Sequence, residues 1–177
     1  MNKCGLLAML LTPLLLPAVQ ASEKTQLFEH INQRLAWMKD VAGYKAAHHQ
    51  AIEDLAQEAR VSALAVNSAD LLGLQPQSIK PFIRAQMDAA KAIQYRYRAD
   101  WLSKPEEKWT PLPLSVAREK IAQHSTQTFQ QLAQLLKAGD RIEEDDRPVF
   151  NRLISQHNIT DSDKSMIFNA LKQASLK

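Results

Sequence analysis

The sequence predicts an all-α protein, a single-domain bundle of about six helices. Glycine and proline are scarce, with four and eight residues in a chain of 177. Alanine, leucine, glutamine, lysine and glutamate, which favour helices, dominate the composition. Apolar residues also recur three and four positions apart, as they do on one face of a helix. A chain of this length is long enough to form one domain with a buried core.

Residues 1–21 have the pattern of a signal peptide. A lysine near the start is followed by a short apolar run, and Val19–Ala21 is a small-x-small cleavage site. The apolar run is interrupted by prolines, so it does not predict a membrane span. We therefore expect cleavage after Ala21, export to the periplasm or the medium, and a mature domain at 22–177 that is not attached to a membrane.

The mature chain contains no cysteine, because Cys4 lies in the segment that we expect to be removed. This excludes a disulfide, a thiol nucleophile and a thiolate metal site. The formal charge of +3 comes from 22 basic and 19 acidic residues without a basic run, so nucleic acid is not an expected partner. The five histidines follow no metal-ligand spacing, and neither a metal nor another cofactor is expected.

Periodicity and capping signals divide the mature chain into six predicted helices. Ser78 and Ser115 are candidate N-caps, Thr160 with Asp163 resembles a capping box, and Gly73 is a candidate C-terminal cap. The predicted ranges are 23–49, 52–72, 78–102, 115–139 after a proline-containing loop at 104–113, 147–157, and a last helix from about 160. Each connection joins one helix to the next, which favours a bundle.

The segment 82–101 carries an apolar stripe with one polar member. Helical spacing places six residues on one face, namely Ile83, Met87, Ala90, Gln94, Tyr97 and Trp101. A buried amide without hydrogen-bond partners costs about 1–3 kcal/mol. Gln94 therefore either bonds a neighbouring helix or points into a polar pocket inside the bundle.

The first predicted helix has two cations in its apolar stripe. Arg34 and Lys45 are eleven residues apart, about three turns, so they share a face. Two cations on an apolar face are unfavourable unless negative charge meets them. Either the two side chains extend to the rim of the protein, or they face an anion.

Further polar residues lie near two predicted helix starts. Asp54, Gln57 and Glu58 fall within about one turn, where acidic residues commonly offset the helix dipole. Arg118 opposes the dipole of its helix, and either a bound anion or an ion pair with Glu119 or a neighbouring helix would compensate it. The collected set suits a small dianion carrying a hydroxyl, and chemistry by positioning and electrostatics.

Five segments resemble the secreted, all-helical chorismate mutases of the gamma subclass. They are the signal peptide, RLAWMKDVAGYK (34–45), HHQAIED (48–54), KPFIRAQMDAAKAIQYRYRADW (80–101) and LSVAR (114–118). The resemblance covers the mature chain to about residue 120. It implies a helical bundle of the chorismate mutase type II kind that converts chorismate to prephenate, a step of aromatic amino acid biosynthesis, by an intramolecular Claisen rearrangement without a cofactor. It also implies a homodimer in which each chain builds its own site.

The resemblance assigns a role to each misplaced polar residue. Arg34 and Arg118 match the arginines that hold the substrate carboxylates. Lys45 and Gln94 match the catalytic donors to the ether oxygen, which gains negative charge as the C–O bond breaks.

Four further positions match substrate-binding positions of the family, two of them with a different residue. Asp54 and Glu58 match positions near the substrate hydroxyl and the lysine. The family usually has arginine in place of Gln57, which can donate to a carboxylate but lacks the charge and the bidentate fork. It usually has serine or threonine in place of Ala90, which removes a hydroxyl contact. Whether Arg60, one turn further on, reaches back is not decided by the sequence.

Two other functions stay open. Gln57 and Ala90 favour a catalytically weak or inactive relative that binds a small aromatic-pathway anion. A helical interaction or chaperone module without a ligand is the third possibility; it predicts large exposed apolar patches, and the buried charges argue against it.

Overall fold

The computed structural model of the protein describes residues 22–177, and the predicted signal peptide lies outside the described residues. Within this range the predicted all-α class is confirmed. The helices are α1 (Glu23–Ala36), α2 (Met38–Ala47), α3 (Leu55–Leu71), α4 (Pro76–Ser103), α5 (Leu114–Lys137), α6 (Arg147–Leu153) and α7 (Asp161–Leu171), with a 3₁₀ turn at Glu144–Asp146. No helix in this range is both long enough and apolar enough to cross a bilayer.

The first predicted helix is divided at Trp37 into α1 and α2. Trp37 has φ −73° and ψ −7°, whereas ψ in a regular α-helix is about −42°. It is the C-cap of α1 and the N-cap of α2. The division does not change the face that the sequence predicts, since Arg34 and Lys45 still line one pocket.

Two helices begin at residues other than those predicted. Asp54 is the N-cap of α3, because its carboxylate accepts a hydrogen bond from the Gln57 backbone N–H at 3.0 Å. Gln75 is the N-cap of α4. Ser78 was wrongly predicted as that cap: its hydroxyl donates to the Gln75 carbonyl at 2.9 Å instead.

The structure also describes the other three predicted caps, at Ser115, at Thr160 with Asp163, and at Gly73. Ser115 is not the cap of α5, which begins after Pro113 without a side-chain cap. The capping box of Thr160 and Asp163 at α7 is confirmed. Gly73 follows α3 with φ +91°, the left-handed conformation that glycine adopts without strain.

Three phenylalanines hold the C-terminal helices on the bundle. Phe28 of α1, Phe150 of α6 and Phe168 of α7 are fully buried, and Phe150 lies 5.1 Å from each of the other two ring centroids. Burying one such side chain contributes about 1.5–3 kcal/mol. α5 packs along α1, while α4 contacts α2, α3 and α7, so α4 is the central helix.

The loop 104–113 is fixed to α2 by an aromatic contact. A Cβ atom at Gly43 would lie 2.6 Å from ring atoms of Trp109, so the ring requires glycine beneath it. The Lys39 ammonium lies 4.5 Å from a Trp109 ring centroid, within the range of a cation–π interaction. The anchored loop leads directly into α5 and thereby positions the first turns of that helix.

Candidate active site

All eight site residues that the sequence predicts line one pocket. The pocket lies between α1, α2, α3, α4 and α5 and has a volume of about 690 Å³ when its opening to solvent is included. The predicted residues that line it are Arg34, Lys45, Asp54, Gln57, Glu58, Ala90, Gln94 and Arg118. Residues from five helices thus meet in one place. The sequence could only suggest which residues share a face of the same helix.

Arg34 is a buried cation in the last turn of α1. Its side chain donates from Nε to the Ser125 hydroxyl at 3.2 Å and from Nη1 to the Gln86 carbonyl at 3.3 Å. It forms no salt bridge with any residue from 22 to 177, and it is only 6% exposed, so it does not extend to the rim. Burial lowers the pKa of Arg34 to about 10, which still leaves the guanidinium charged at neutral pH.

Lys45 lies in the last turn of α2 and is also buried, at 8% exposed. Its ammonium donates to the Ile52 carbonyl in the connection to α3, which leaves two of its three N–H groups uncommitted. Burial lowers the pKa of Lys45, Arg118 lowers it further, and Asp54 and Glu58 oppose the shift. The free N–H groups make Lys45 a donor that is available to a ligand.

Gln94 lies on α4 with its amide buried beside the pocket. The Nε2 group donates to the Ala90 carbonyl at 3.1 Å and to the Met38 sulfur at 3.6 Å. The bond to Met38 of α2 fits the simpler interpretation, but a thioether is a weak acceptor. The Oε1 atom is buried without a partner among residues 22–177, so the hydrogen bonds of the amide are incomplete. The N–H that now points to the Met38 sulfur can donate to a better acceptor on a ligand.

The first turn of α3 supplies two carboxylates to the pocket. Asp54 is the N-cap of α3, which is an ordinary role for an acidic residue at a helix start. Glu58 accepts from the Asp54 backbone N–H at 3.3 Å and from the Lys91 ammonium at 3.0 Å. Both carboxylates line the pocket, so capping and pairing do not remove them from it.

Lys91 is a pocket residue that sequence analysis missed. It is three residues before Gln94 and four after Met87, and both of these also line the pocket. Helical spacing could therefore have found it, although a lone lysine beside an apolar stripe usually marks a solvated edge. With Lys91 the lining holds four cations and two carboxylates, a surplus of two positive charges.

Arg118, in the first turns of α5, is exposed at one wall of the pocket. The alternative of an ion pair with Glu119 or a neighbouring helix is not realised, because no side-chain hydrogen bond or salt bridge to Arg118 occurs in the described part of the chain. α5 has no side-chain cap, so the first backbone N–H groups of this helix have no side-chain acceptor, and such a helix start suits an anion.

Gln57 and Ala90, where the sequence departs from the family pattern, lie on α3 and α4. Ala90 is 6% exposed and presents only a methyl group. The Gln57 side-chain oxygen accepts from the Arg60 guanidinium at 2.8 Å. Arg60 does therefore reach back to this position, the point that the sequence left undecided.

The rest of the lining is apolar and contains no nucleophile. It consists of Met38, Val41, Ile52, Val61, Met87, Leu114 and Ile121. No serine, cysteine, histidine or tyrosine lines the pocket, and the described residues contain no cluster of three or more histidine, cysteine or acidic residues able to hold a metal. The arrangement can bind a small dianion against apolar walls and stabilise negative charge that develops on it.

The chain is similar in sequence to chorismate mutases. The family model for chorismate mutase type II matches residues 25–95. A secreted chorismate mutase from Yersinia pestis is 49% identical over 160 residues, covering 90% of this chain and 86% of the relative. A monofunctional chorismate mutase from Enterobacter agglomerans is 41% identical over 143 residues, covering 81% of this chain and 78% of the relative.

Solved structures show the same architecture. The crystal structure of the secreted chorismate mutase from Yersinia pestis superposes with a TM-score of 0.81 and 48% identity, covering 86% of this chain and 98% of that one. The chorismate mutase from Burkholderia thailandensis gives a TM-score of 0.67 at 22% identity, covering 85% of this chain and 98% of that one. The second likeness shows the fold alone.

Proposed function

This chain belongs to the type II chorismate mutase family, and we propose that it isomerises chorismate to prephenate in the pocket described above. Chorismate carries two carboxylates and one hydroxyl. The observation that carries the proposal is the surplus of two positive charges in a pocket with apolar walls beside its polar residues, which matches a dianion with an apolar ring. Complementary charge in a desolvated pocket favours such a ligand.

The reaction moves no group between molecules. The ether C–O bond of chorismate breaks while a C–C bond forms within the same molecule, so the atoms balance without a nucleophile, a proton transfer or a cofactor. The protein has to hold the two ends of the substrate together and stabilise negative charge on the ether oxygen. A pocket lined by no serine, cysteine, histidine or tyrosine is sufficient for both tasks.

We assign the two substrate carboxylates to Arg34 and Arg118. Both guanidinium groups lack a salt bridge within residues 22–177, and the burial of Arg34 makes an unpaired charge there costly. A carboxylate would remove that cost and could accept two parallel N–H bonds from each guanidinium.

Lys45 and Gln94 are our candidates for the two donors to the ether oxygen. Lys45 has uncommitted N–H groups, and Gln94 spends one N–H on a weak sulfur acceptor. The charge on the ether oxygen grows only as the bond breaks, so both donors act more strongly on the transition state than on the bound substrate. Asp54 and Glu58 are assigned to the region of the substrate hydroxyl and of Lys45, whose pKa they influence.

The chain is exported, as its secreted relative is. We further propose that residues 1–21 are removed after Ala21, that the mature enzyme acts in the periplasm or the medium, and that it forms a homodimer. A complete pocket in one chain supports one independent site per subunit. Mass spectrometry of the exported protein tests the cleavage position, and light scattering after size exclusion tests the dimer.

The second candidate function is that of a weak or inactive relative that binds the same anion. It is favoured by Gln57 and Ala90, which offer less to a substrate than the residues usual at these positions. Losing two contacts at about 1–3 kcal/mol each would lower turnover by orders of magnitude. One experiment separates the two functions.

The test uses purified residues 22–177 with chorismate. The expected result is loss of chorismate matched by formation of prephenate, and the turnover should disappear in Arg34→Ala. A folded protein that does not turn chorismate over would overturn the proposed mutase activity. Calorimetry with chorismate and prephenate would then decide whether the protein binds either compound.

A further inference from the structure

Arg60 holds the side-chain amide of Gln57 in one orientation. The two residues are three apart on α3, and Nη2 of Arg60 donates to Oε1 of Gln57 at 2.8 Å. The Gln57 backbone is fixed as well, since its N–H donates to the carboxylate of Asp54 at 3.0 Å. Backbone and side-chain carbonyl of Gln57 are therefore both held from its own helix.

The amide nitrogen of Gln57 is left without a partner. Gln57 lines the pocket, and within residues 22–177 its Nε2 group makes no hydrogen bond. In a primary amide the oxygen and the NH₂ group lie on different sides of the planar amide carbon, so an oxygen held by Arg60 leaves two N–H donors for other acceptors. An amide turned the other way would present its oxygen, which repels a carboxylate.

Arg60 itself has no competing task in the described part of the chain. It does not line the pocket, it forms no salt bridge there, and Gln57 is its one hydrogen-bond partner within residues 22–177. Its guanidinium is a charged donor, and charge-assisted hydrogen bonds are stronger than neutral ones. These properties suit a residue that acts through Gln57.

We propose that Arg60 is a positioning residue that turns the Gln57 amide so that its NH₂ group donates to a carboxylate of chorismate. The inference rests on the proposed function and deepens it. The pair of Gln57 and Arg60 would then do the work of the single arginine that the family usually has at this position. The positive charge remains, but one helical turn further from the substrate.

The test is a double-mutant cycle with Arg60→Ala, Gln57→Ala and the double variant, measuring kcat, KM and thermal stability. Arg60→Ala should raise KM about fivefold, as expected for one hydrogen bond of ordinary strength, with little change in kcat or melting temperature. Gln57→Ala should raise KM at least as much. The double variant should be no worse than Gln57→Ala, because Arg60 acts through the amide.

Two controls separate positioning from charge alone. Arg60→Lys keeps the charge and one donor to the Gln57 oxygen, so it should restore part of the loss. Arg84→Ala removes another exposed charge, on α4, at a residue that does not line the pocket, and it should leave KM unchanged. High salt would abolish a loss that came only from long-range attraction, whereas the loss from a misoriented amide should persist.

An unchanged KM in Arg60→Ala would overturn the inference, as would the same additional loss in the Gln57→Ala background. Wild-type turnover decides the proposed function separately. If the wild type binds chorismate without converting it, the calorimetric Kd for chorismate takes the place of KM. Arg60→Ala should then raise Kd, and the double variant should bind no more weakly than Gln57→Ala. Absence of both turnover and binding would overturn the two proposals together.

Discussion

The carboxylate of Glu58 on α3 lies 3.0 Å from the ammonium of Lys91 on α4, and this ion pair joins two walls of the pocket. Lys91 also lies 3.5 Å from Asp88. The hydrogen bond to Glu58 raises the pKa of Lys91 above its ordinary value, against the effect of burial. Lys91 is therefore charged at neutral pH and contributes to the positive surplus of the pocket.

Replacement of Lys91 by alanine should weaken substrate binding with only a small loss of stability. Both side chains of the pair are about a quarter exposed, so we expect a loss of at most about 1 kcal/mol in the free energy of unfolding. The missing charge should raise KM for chorismate about fivefold. Steady-state kinetics and urea unfolding of the same preparation give the two values.

The matched control for this variant is Lys80→Ala on the same helix. Lys80 is exposed, its side chain bonds only Gln77 among residues 22–177, and it does not line the pocket. An unchanged KM in Lys91→Ala, or an equal rise in both variants, would remove Lys91 from the substrate site.

Replacement of Lys45 should lower the rate far more than the stability. Loss of one donor to the developing charge costs about 10²–10³ in kcat at comparable sites. Among residues 22–177 the side chain loses its bond to the Ile52 carbonyl and the packing of its buried stem, and the fold is relieved of a buried charge that was costly to keep. Chorismate turnover and urea unfolding of Lys45→Ala measure the two effects.

Lys45→Met serves as the second variant, because it keeps most of the side-chain length and avoids a cavity. Both variants should lose activity alike. Full activity in either one would mean that Lys45 is not a donor to the substrate and that the reaction takes place elsewhere.

The activity should be nearly independent of pH on the acidic side of its range. Gln94 does not ionise, so we expect kcat/KM to stay flat from about pH 5 to about pH 8. On the alkaline side, burial lowers the pKa of Lys45 below its ordinary 10.5, and activity should decline as the ammonium loses its proton. A pH–rate profile tests both limits.

The comparison variant is Gln94→Glu, whose carboxyl can donate only when it is protonated. This variant should be most active in acid and lose activity steeply as the pH rises. A steep loss by the wild type between about pH 5 and about pH 8 would indicate a titrating donor and contradict the role of Gln94.

Part of the site could be predicted because four residues each break a local rule, namely Arg34, Lys45, Gln94 and Arg118. Asp54 and Glu58 occupy ordinary positions at a helix start, and Gln57 and Ala90 are assigned only by the family resemblance. Cations in an apolar stripe, an amide in another and an arginine at a helix start are all unfavourable unless they meet a common ligand. The sequence could show which faces they occupy. Their roles toward the substrate stay predictions.

What the sequence could not predict depends on backbone contacts outside the regular helices, both distant and local. Gln75 rather than Ser78 caps α4, where the Gln75 backbone N–H donates to the carbonyl of Ser175 at 2.8 Å, a hundred residues further on. The partner of Lys45 is a backbone carbonyl, which any residue at position 52 would provide. Local periodicity contains no information on either contact.

The pair of His30 and His124 should make the stability of the fold fall as the pH falls. The two rings lie 5.9 Å apart between α1 and α5. Burial lowers the pKa of each below the ordinary 6.5, and the neighbouring His30 lowers that of His124 further. The unfolded chain then binds protons more readily than the folded one, so the stabilisation is complete above about pH 6.5 and is lost progressively below it.

Urea unfolding at about pH 7.5 and at about pH 5 measures this loss. The midpoint should be lower at the acidic pH for the wild type. In His124→Gln, which cannot be protonated at this position, the difference between the two midpoints should shrink. The site residues would be unaffected, because neither histidine lines the pocket, so kcat should stay that of the wild type. An equal shift in wild type and variant would assign the acid sensitivity to other groups.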